Sequence, residues 1–289
     1  MRILILGGDG MLGHQLLLSL RSSHDVCVTL HKQLADYEHT GLYSDQNAYA
    51  GIDVLFQDRL LEVMADYRPD VVINGVGLVK QRKESEVRLL SLEVNALFPH
   101  RLAVLCKAAN ARLIHLSTDC VFSGNQGGYV EEDISDATDL YGRTKFLGEV
   151  NHPHCLTLRT SIIGLELARR SSLIEWFLAQ KGDVCGYRRA IYSGLTTLEM
   201  ARAIDYILCN HPSLSGVWHV ASEPITKYDI FRKMIEFLDI KNVELRPDDS
   251  FVADRSLNAD RFQRKTGYSP PPWDSMLKEL AQQIRERNL

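Results

Sequence analysis

Met1-Arg2-Ile3-Leu4-Ile5-Leu6-Gly7-Gly8-Asp9-Gly10-Met11-Leu12-Gly13 opens the chain, and its apolar run Ile3-Leu6 stops at glycine. A short apolar run closed by turn residues reads as a buried strand. Beyond the glycines, Met11-Leu20 places Leu12, Leu16, Leu17 and Leu20 on one helical face. Two glycine registers fit, Gly8-x-Gly10-x-x-Gly13 and Gly7-x-x-Gly10-x-x-Gly13. Both carry the same physics. Glycine permits a tight strand-to-helix turn and removes the Cβ that would block a pyrophosphate, and the helix start offers N–H groups to that anion. Gly7, Gly10, Met11, Leu12 and Gly13 are the expected dinucleotide contacts.

The same alternation continues outward from this turn. Val26-Leu30, Val71-Asn74, Leu113-Ser117 and Leu156-Leu158 read as further buried strands, with helical spacing in Leu60-Tyr67 and in Glu86-Ala109. The fold class is therefore α/β, a Rossmann-type doubly wound parallel sheet with a smaller C-terminal substrate-binding lobe. After residue 160 the alternation weakens. Helices are expected over Ser171-Gln180, Thr197-Cys209, Lys227-Leu238 and Trp273-Arg287, with a strand at Val217-Val220. The expected division gives residues 1–160 and 191–221 to the cofactor domain, and 161–190 and 222–289 to the smaller lobe.

Composition narrows the function classes. A net charge of -4 over 289 residues argues against binding along a nucleic acid backbone, which needs clustered cations. Six cysteines with no C-x-x-C read as free thiols in a reducing compartment. The N-terminal apolar run is too short for a signal peptide, and no segment approaches the ~20 apolar residues of a membrane span. The expectation is a cytoplasmic protein with no nucleic acid partner, no membrane partner and no metal. His14, His115, His152 and His154 lie on different elements without ligand spacing. A homodimer is left open.

Cofactor choice turns on the end of the second strand. An acidic residue there would hold the ribose hydroxyls of NAD, but the chain has Thr29-Leu30-His31-Lys32. His31 and Lys32 suit the 2′-phosphate of NADP, so NADPH is the expected cofactor, with NAD the alternative. Asp53-Val54, read as ending a third strand, is placed to meet the adenine. Asn74, Val76 and Ser117 are expected contacts at further strand ends.

Three pieces then converge. Ser117-Thr118-Asp119 ends the strand Leu113-Ser117, Tyr141-Gly142-Arg143-Thr144-Lys145 opens a helix, and Asn95 lies inside Glu86-Ala109. Tyr141 and Lys145 are four residues apart and share a helical face. An ammonium lowers the pKa of a nearby phenol, and Lys145 can also hold a cofactor ribose. Thr118 supplies a hydroxyl to polarise a carbonyl. Pro99 removes the hydrogen bond to the Asn95 carbonyl, which can then hold a water that resupplies protons. Trp176 and Phe177 read as core packing rather than as a platform for a nucleotide base.

At these residues the chain resembles the extended short-chain dehydrogenases/reductases, nearest to dTDP-4-dehydrorhamnose reductases and related nucleotide-sugar 4-ketoreductases. The similarity runs nearly the whole length. It includes the glycine turn, Asn95-Ala96-Leu97-Phe98-Pro99, Ser117-Thr118-Asp119-Cys120-Val121-Phe122-Ser123-Gly124, Tyr141 to Glu149, and Leu158-Arg159-Thr160-Ser161. The resemblance implies Thr118, Tyr141 and Lys145 as catalytic, and Thr160 beside the nicotinamide. It implies a nucleotide-diphosphate sugar as substrate, met by Thr118, Asp119, Arg188, Arg189 and Arg255. Surface polysaccharide synthesis would be the setting.

The chain also departs from the rhamnose enzymes. Cys120 replaces their tyrosine, Asn74-Gly75-Val76-Gly77 replaces an alanine-rich turn, and Leu78-Val79-Lys80-Gln81-Arg82-Lys83 is more basic. Gly186 to Thr196 looks more like reductases of UDP-linked acetamido-deoxysugars, so both nucleotides stay open. The related 4,6-dehydratases carry a glutamate where Cys120 stands, and without it elimination lacks its base. Two other readings remain: a nucleotide-sugar epimerase, and a non-catalytic dinucleotide-binding regulatory protein.

Overall fold

The computed structural model describes residues 1–79, 86–168 and 170–287, so the basic stretch Lys80-Gln81-Arg82-Lys83 lies outside the described residues. The cofactor half runs β1 (Arg2–Leu6), α1 (Gly13–Leu20), β2 (Asp25–Thr29), β3 (Ala48–Tyr49), α2 (Gln57–Tyr67) and β4 (Val71–Asn74). It continues through α3 (Arg88–Ser91), α4 (Phe98–Ala108), β5 (Arg112–Leu116), α5 (Leu140–Leu147) and β6 (Cys155–Arg159). Next come β7 (Ile162–Ile163), α6 (Leu173–Leu178), β8 (Gly182–Tyr187), β9 (Ala190–Tyr192), β10 (Leu195–Thr196) and α7 (Thr197–Asn210). The rest is β11 (Gly216–His219), β12 (Ile225–Thr226), α8 (Lys227–Leu238), β13 (Val243–Asp248), β14 (Ala253–Asp254), α9 (Asp260–Thr266) and α10 (Trp273–Arg287).

Seven strands form one parallel sheet in the order β11-β6-β5-β4-β1-β2-β3. Ile3 and Ile5 of β1 face a core that includes residues of α1 and α7, while Leu4 and Leu6 face the opposite core with residues of α2 and α4. Alternate residues of a strand point to opposite faces, and both faces here are covered, so continuous apolar runs suit these strands. The strand order reverses between β1 and β4, which creates the crevice where such sheets bind ligands. The smaller sheets pair β8 with β13, β9 with β12 and β14, and β7 with β10.

Two expectations change. The third strand is Ala48–Tyr49, and Asp53-Val54 lies in the loop beyond it. There the Asp53 carboxylate accepts from the Leu55 N–H at 3.0 Å, closing a turn into α2. The stretch Glu86-Ala109 is not one regular α-helix either. α3 and α4 are joined by a π-helical segment, Leu92–Leu97, that includes Asn95 and ends just before Pro99. The absent proline N–H gives the wider turn a physical cause. The helical stretch Arg88–Ala108 is also 21 residues long and apolar enough to cross a membrane by length and composition, with half of it buried in the fold. The sequence reading had found no such segment. Arg88, Glu93, Arg101 and Lys107 interrupt the stretch, so it does not read as one continuous apolar run.

Candidate active site

The glycine turn is built for close approach. Gly7 adopts φ +77°, a left-handed conformation that favours glycine, and a Cβ on Gly13 would overlap the Gly7 carbonyl oxygen. The Gly10 N–H donates to the Gly7 carbonyl at 3.0 Å, and no acceptor meets the Met11 or Leu12 N–H among the described residues. Those two donors stand at the start of α1, where an anion is favoured. Val76 lies against Gly7, so the loop after β4 forms the other wall of the crevice. A dinucleotide diphosphate fits this turn.

Two tyrosines that carried no sequence signal brace the turn from outside. Tyr37 donates to the Asp9 carboxylate at 2.9 Å, and Tyr43 donates to the Gly8 carbonyl at 2.8 Å. Their rings meet edge to face, with centroids 5.6 Å apart. His31 and Lys32 are exposed just past β2, and the Lys32 N–H donates to the Tyr37 hydroxyl at 3.3 Å. Asn74 turns inward instead: its amide meets His115 Nδ1 at 3.1 Å and its oxygen accepts from the Val76 N–H at 3.1 Å.

The three proposed catalytic side chains meet at the ends of β4 and β5. Asp139 caps α5 by accepting from the Gly142 N–H at 3.0 Å. A Cβ on Gly142 would overlap the Cys120 carbonyl oxygen, so this glycine lets α5 lie directly on the Thr118–Cys120 segment. Thr118 is near enough to act on the Tyr141 phenol, its hydroxyl donating to the Asp119 carboxylate at 3.1 Å and accepting from the Cys120 N–H at 3.1 Å, while Lys145, buried on the same helix face, donates to the Leu116 carbonyl at 2.6 Å. Gly77 of the β4 loop borders the Lys145 ammonium. The Asn95 side chain pins that loop, accepting from the Leu78 N–H at 2.8 Å and donating to the Leu78 carbonyl at 3.0 Å.

Charge in this pocket departs from the expectation. Burial raises the Tyr141 pKa, and Lys145 is not among the charges that act on it. The Lys145 ammonium is directed at the Leu116 carbonyl instead. Burial pulls Lys145 itself down to about 8, opposed by the Glu149 carboxylate. Burial and the Asp119 carboxylate push the Cys120 thiol up to about 12, so it stays protonated and supplies no base. The Asn95 carbonyl freed by Pro99 faces Gly148, where a Cβ would overlap it. That carbonyl is packed against the end of α5.

The other expected contacts separate into groups. Ser117 directs its hydroxyl to Glu149 at 2.7 Å, away from the crevice. Thr160 is buried beside the site, and its carbonyl accepts from the Asp119 N–H at 3.2 Å. Arg255 lies close, donating from Nε to the Phe122 carbonyl at 3.1 Å and drawing Asp119 electrostatically. Arg189 is exposed on the turn from β8 to β9, and Arg188 there is committed to an exposed ion pair with Asp249. Phe177 is buried and stacks on Phe231 at 4.4 Å, whereas Trp176 is half-exposed.

His24, Asp205 and Cys209 bring three potential ligand atoms within 4.8 Å of one another. Nδ1 of His24 is buried with no partner, whereas a metal-bound imidazole ordinarily donates from its second nitrogen. The His24–Asp205 pair at 2.7 Å is accounted for as a clamp between α7 and the turn after α1.

A seven-stranded parallel sheet, a glycine turn at its crevice and a Tyr-x-x-x-Lys helix beside a strand-end threonine define an extended short-chain dehydrogenase/reductase. The chain belongs to the RmlD substrate binding domain family, whose pattern matches residues 1–170. It is 25% identical to the dTDP-4-dehydrorhamnose reductase of Aggregatibacter actinomycetemcomitans, over 96% of this chain and 98% of that protein. It is also 25% identical to methionine adenosyltransferase 2 subunit beta of Xenopus laevis, over 96% of this chain and 80% of that one. The solved dTDP-4-dehydrorhamnose reductase of Bacillus anthracis, in complex with NADP, matches with a TM-score of 0.79 at 21% identity. That match covers 98% of this chain and 99% of the other.

Proposed function

We propose that the protein is an NADPH-dependent reductase of the 4-keto group of a nucleotide-linked 6-deoxyhexose, with a dTDP-4-dehydrorhamnose or a UDP-linked acetamido-dideoxy-4-hexulose as substrate. The observation that carries this reading is the meeting of Thr118, Tyr141 and Lys145 at the strand ends that flank the glycine turn. When bound, NADPH supplies the hydride. Tyr141, kept protonated by burial, gives its proton to the carbonyl oxygen. Thr118 hydrogen-bonds that oxygen as negative charge develops on it. Lys145 holds the ribose. Arg255 and Asp119 orient the nucleotide sugar. The names of the reductase relatives support the reaction class, and the exposed apolar side chains Leu89, Leu97, Val104, Phe146 and Leu147 are compatible with a homodimer.

Equal identity to a methionine adenosyltransferase 2 subunit beta keeps a second reading, a non-catalytic dinucleotide-binding regulatory protein. The test is NADPH consumption with a panel of UDP- and dTDP-4-keto-6-deoxyhexoses. Consumption stoichiometric with one sugar establishes the reductase. Product without net consumption would mean an epimerase, and silence on every sugar would favour the regulatory reading.

A further inference from the structure

The dinucleotide crevice holds a carboxylate that the reaction scheme does not use. Asp9 stands inside the glycine turn, between Gly8 and Gly10. Its Oδ2 accepts from the Tyr37 hydroxyl at 2.9 Å, and that hydroxyl accepts in turn from the Lys32 N–H at 3.3 Å. One phenol oxygen therefore spans the glycine turn and the end of β2, the two elements between which the adenosine ribose of a dinucleotide lies. The Lys32 peptide is held on its other side too, because its carbonyl accepts from the Gly51 N–H at 2.9 Å. Tyr37 comes from a short 3-10 helix, Leu34–Thr40, whose start is closed by the Gln33 N–H donating to the Asp36 carboxylate at 3.1 Å.

We propose that Asp9 and Tyr37 together set how the site discriminates between a ribose 2′-phosphate and a ribose 2′-hydroxyl. The Tyr37 hydroxyl holds Asp9 Oδ2 in a charge-assisted hydrogen bond and keeps the carboxylate turned towards Tyr37. A carboxylate released from that bond repels a 2′-phosphate beside Lys32 and accepts from a 2′-hydroxyl instead. This role presupposes that a dinucleotide binds at the glycine turn, as the reductase reading requires.

Tyr43 braces the same turn without charge, by donating to the Gly8 carbonyl at 2.8 Å. Tyr37 meets a carboxylate instead, and among the described residues Asp9 forms no ion pair. A negative charge without a cation is a poor choice for bracing a turn that must receive an anionic cofactor. It suits a group that reads the ribose. The ordinary ribose ligand would be an acidic residue at the end of β2, where this chain has His31 and Lys32. Asp9 brings a carboxylate to the same place from the opposite side, one hydroxyl away from the Lys32 backbone.

The experiment measures dissociation constants for NADPH and for NADH with the wild type, Tyr37→Phe, Asp9→Asn and the double variant. Phenylalanine keeps the buried ring that meets Tyr43 edge to face, and asparagine keeps the size of aspartate, so both are expected to fold. Tyr37→Phe should lower the NADPH-to-NADH preference about fivefold or more, and Asp9→Asn should raise it by a similar factor. In the Asp9→Asn background, Tyr37→Phe should leave the preference within about twofold, because the charge it restrains is gone. Equal weakening of both cofactors by Tyr37→Phe would reduce Tyr37 to a brace of the turn and overturn the proposal. An unchanged preference, or the same loss with and without the Asp9 carboxylate, would also overturn it. If Tyr37→Phe does not fold, Asp9→Asn decides alone, and an unaltered preference overturns the role of the carboxylate. Absence of dinucleotide binding by the wild type would instead overturn the reductase reading, so the two failures are distinct.

Discussion

At Lys32 one side chain is proposed to decide which dinucleotide binds. It stands exposed just past the end of β2, with its backbone N–H fixed by Tyr37. A cation there favours the 2′-phosphate, and a carboxylate would repel it while accepting ribose hydroxyls. Lys32→Asp is therefore expected to lower the NADPH-to-NADH preference at least tenfold, read from the ratio of dissociation constants; an unchanged ratio would remove Lys32 from cofactor selection. Residue chemistry was legible in the sequence where a side chain acts through its own type and spacing, as for Thr118, Tyr141 and Lys145. It was not legible where a group is consumed by a distant partner. Ser117 and Asn74 stand at strand ends where a ligand contact is reasonable, yet Glu149 and His115 take them. Glu149 stands just beyond the end of α5, and its bond to Arg159 joins that segment to β6 only after folding.

At the scale of elements, α5 is the part on which the chemistry depends. It touches the Thr118–Cys120 turn through Gly142 and the π-helical segment through Gly148. A methyl group on Gly142 would collide with both the Cys120 carbonyl oxygen and the Ala137 side chain. Gly142→Ala is expected to cost about 1–3 kcal/mol in unfolding experiments. It should also cut turnover more than NADPH affinity, because Tyr141 and Thr118 would separate while the glycine turn stays intact. A variant with native stability and turnover would show that α5 can shift freely. The apolar runs made β1, β2, β4, β5 and β6 readable, since strands buried on both faces need little else. β3 escapes because two residues have no periodicity, so Asp53-Val54 reads as the strand end in its place. Pro99 marked an irregularity in the helix, but whether the chain answers with a kink or a wider turn depends on what α5 packs against it.

For the whole molecule, the buried cluster in which Arg159 meets both Glu149 and His219 makes stability depend on pH. His219 is fully buried, and burial followed by the Arg159 charge lowers its pKa from 6.5 to about 3. Between those values the unfolded chain binds the proton and the folded chain does not. Stability therefore rises with pH across this window and is lost as pH falls from 6.5 towards 3, by an amount on the order of a few kcal/mol. Denaturant unfolding of His219→Gln should show a flatter acid limb than the wild type. Parallel limbs would mean that other groups govern acid unfolding. The doubly wound α/β plan was visible in the order of runs along the chain, whereas the small sheets around β7, β9, β10, β12 and β14 were not. Strands of two or three residues are specified by contacts between distant segments, such as Arg255 N–H to the Ile191 carbonyl at 3.0 Å.

The most direct measurement compares wild type and Tyr141→Phe, following cofactor oxidation together with conversion of a 4-keto nucleotide sugar, with NADPH affinity determined in parallel. The phenylalanine keeps the ring and removes only the proton donor. Turnover should fall by roughly 10²–10⁴-fold while NADPH binds as before. Turnover within a few fold of the wild type would contradict the assignment of Tyr141 as the acid, and with it the reduction proposed for this site.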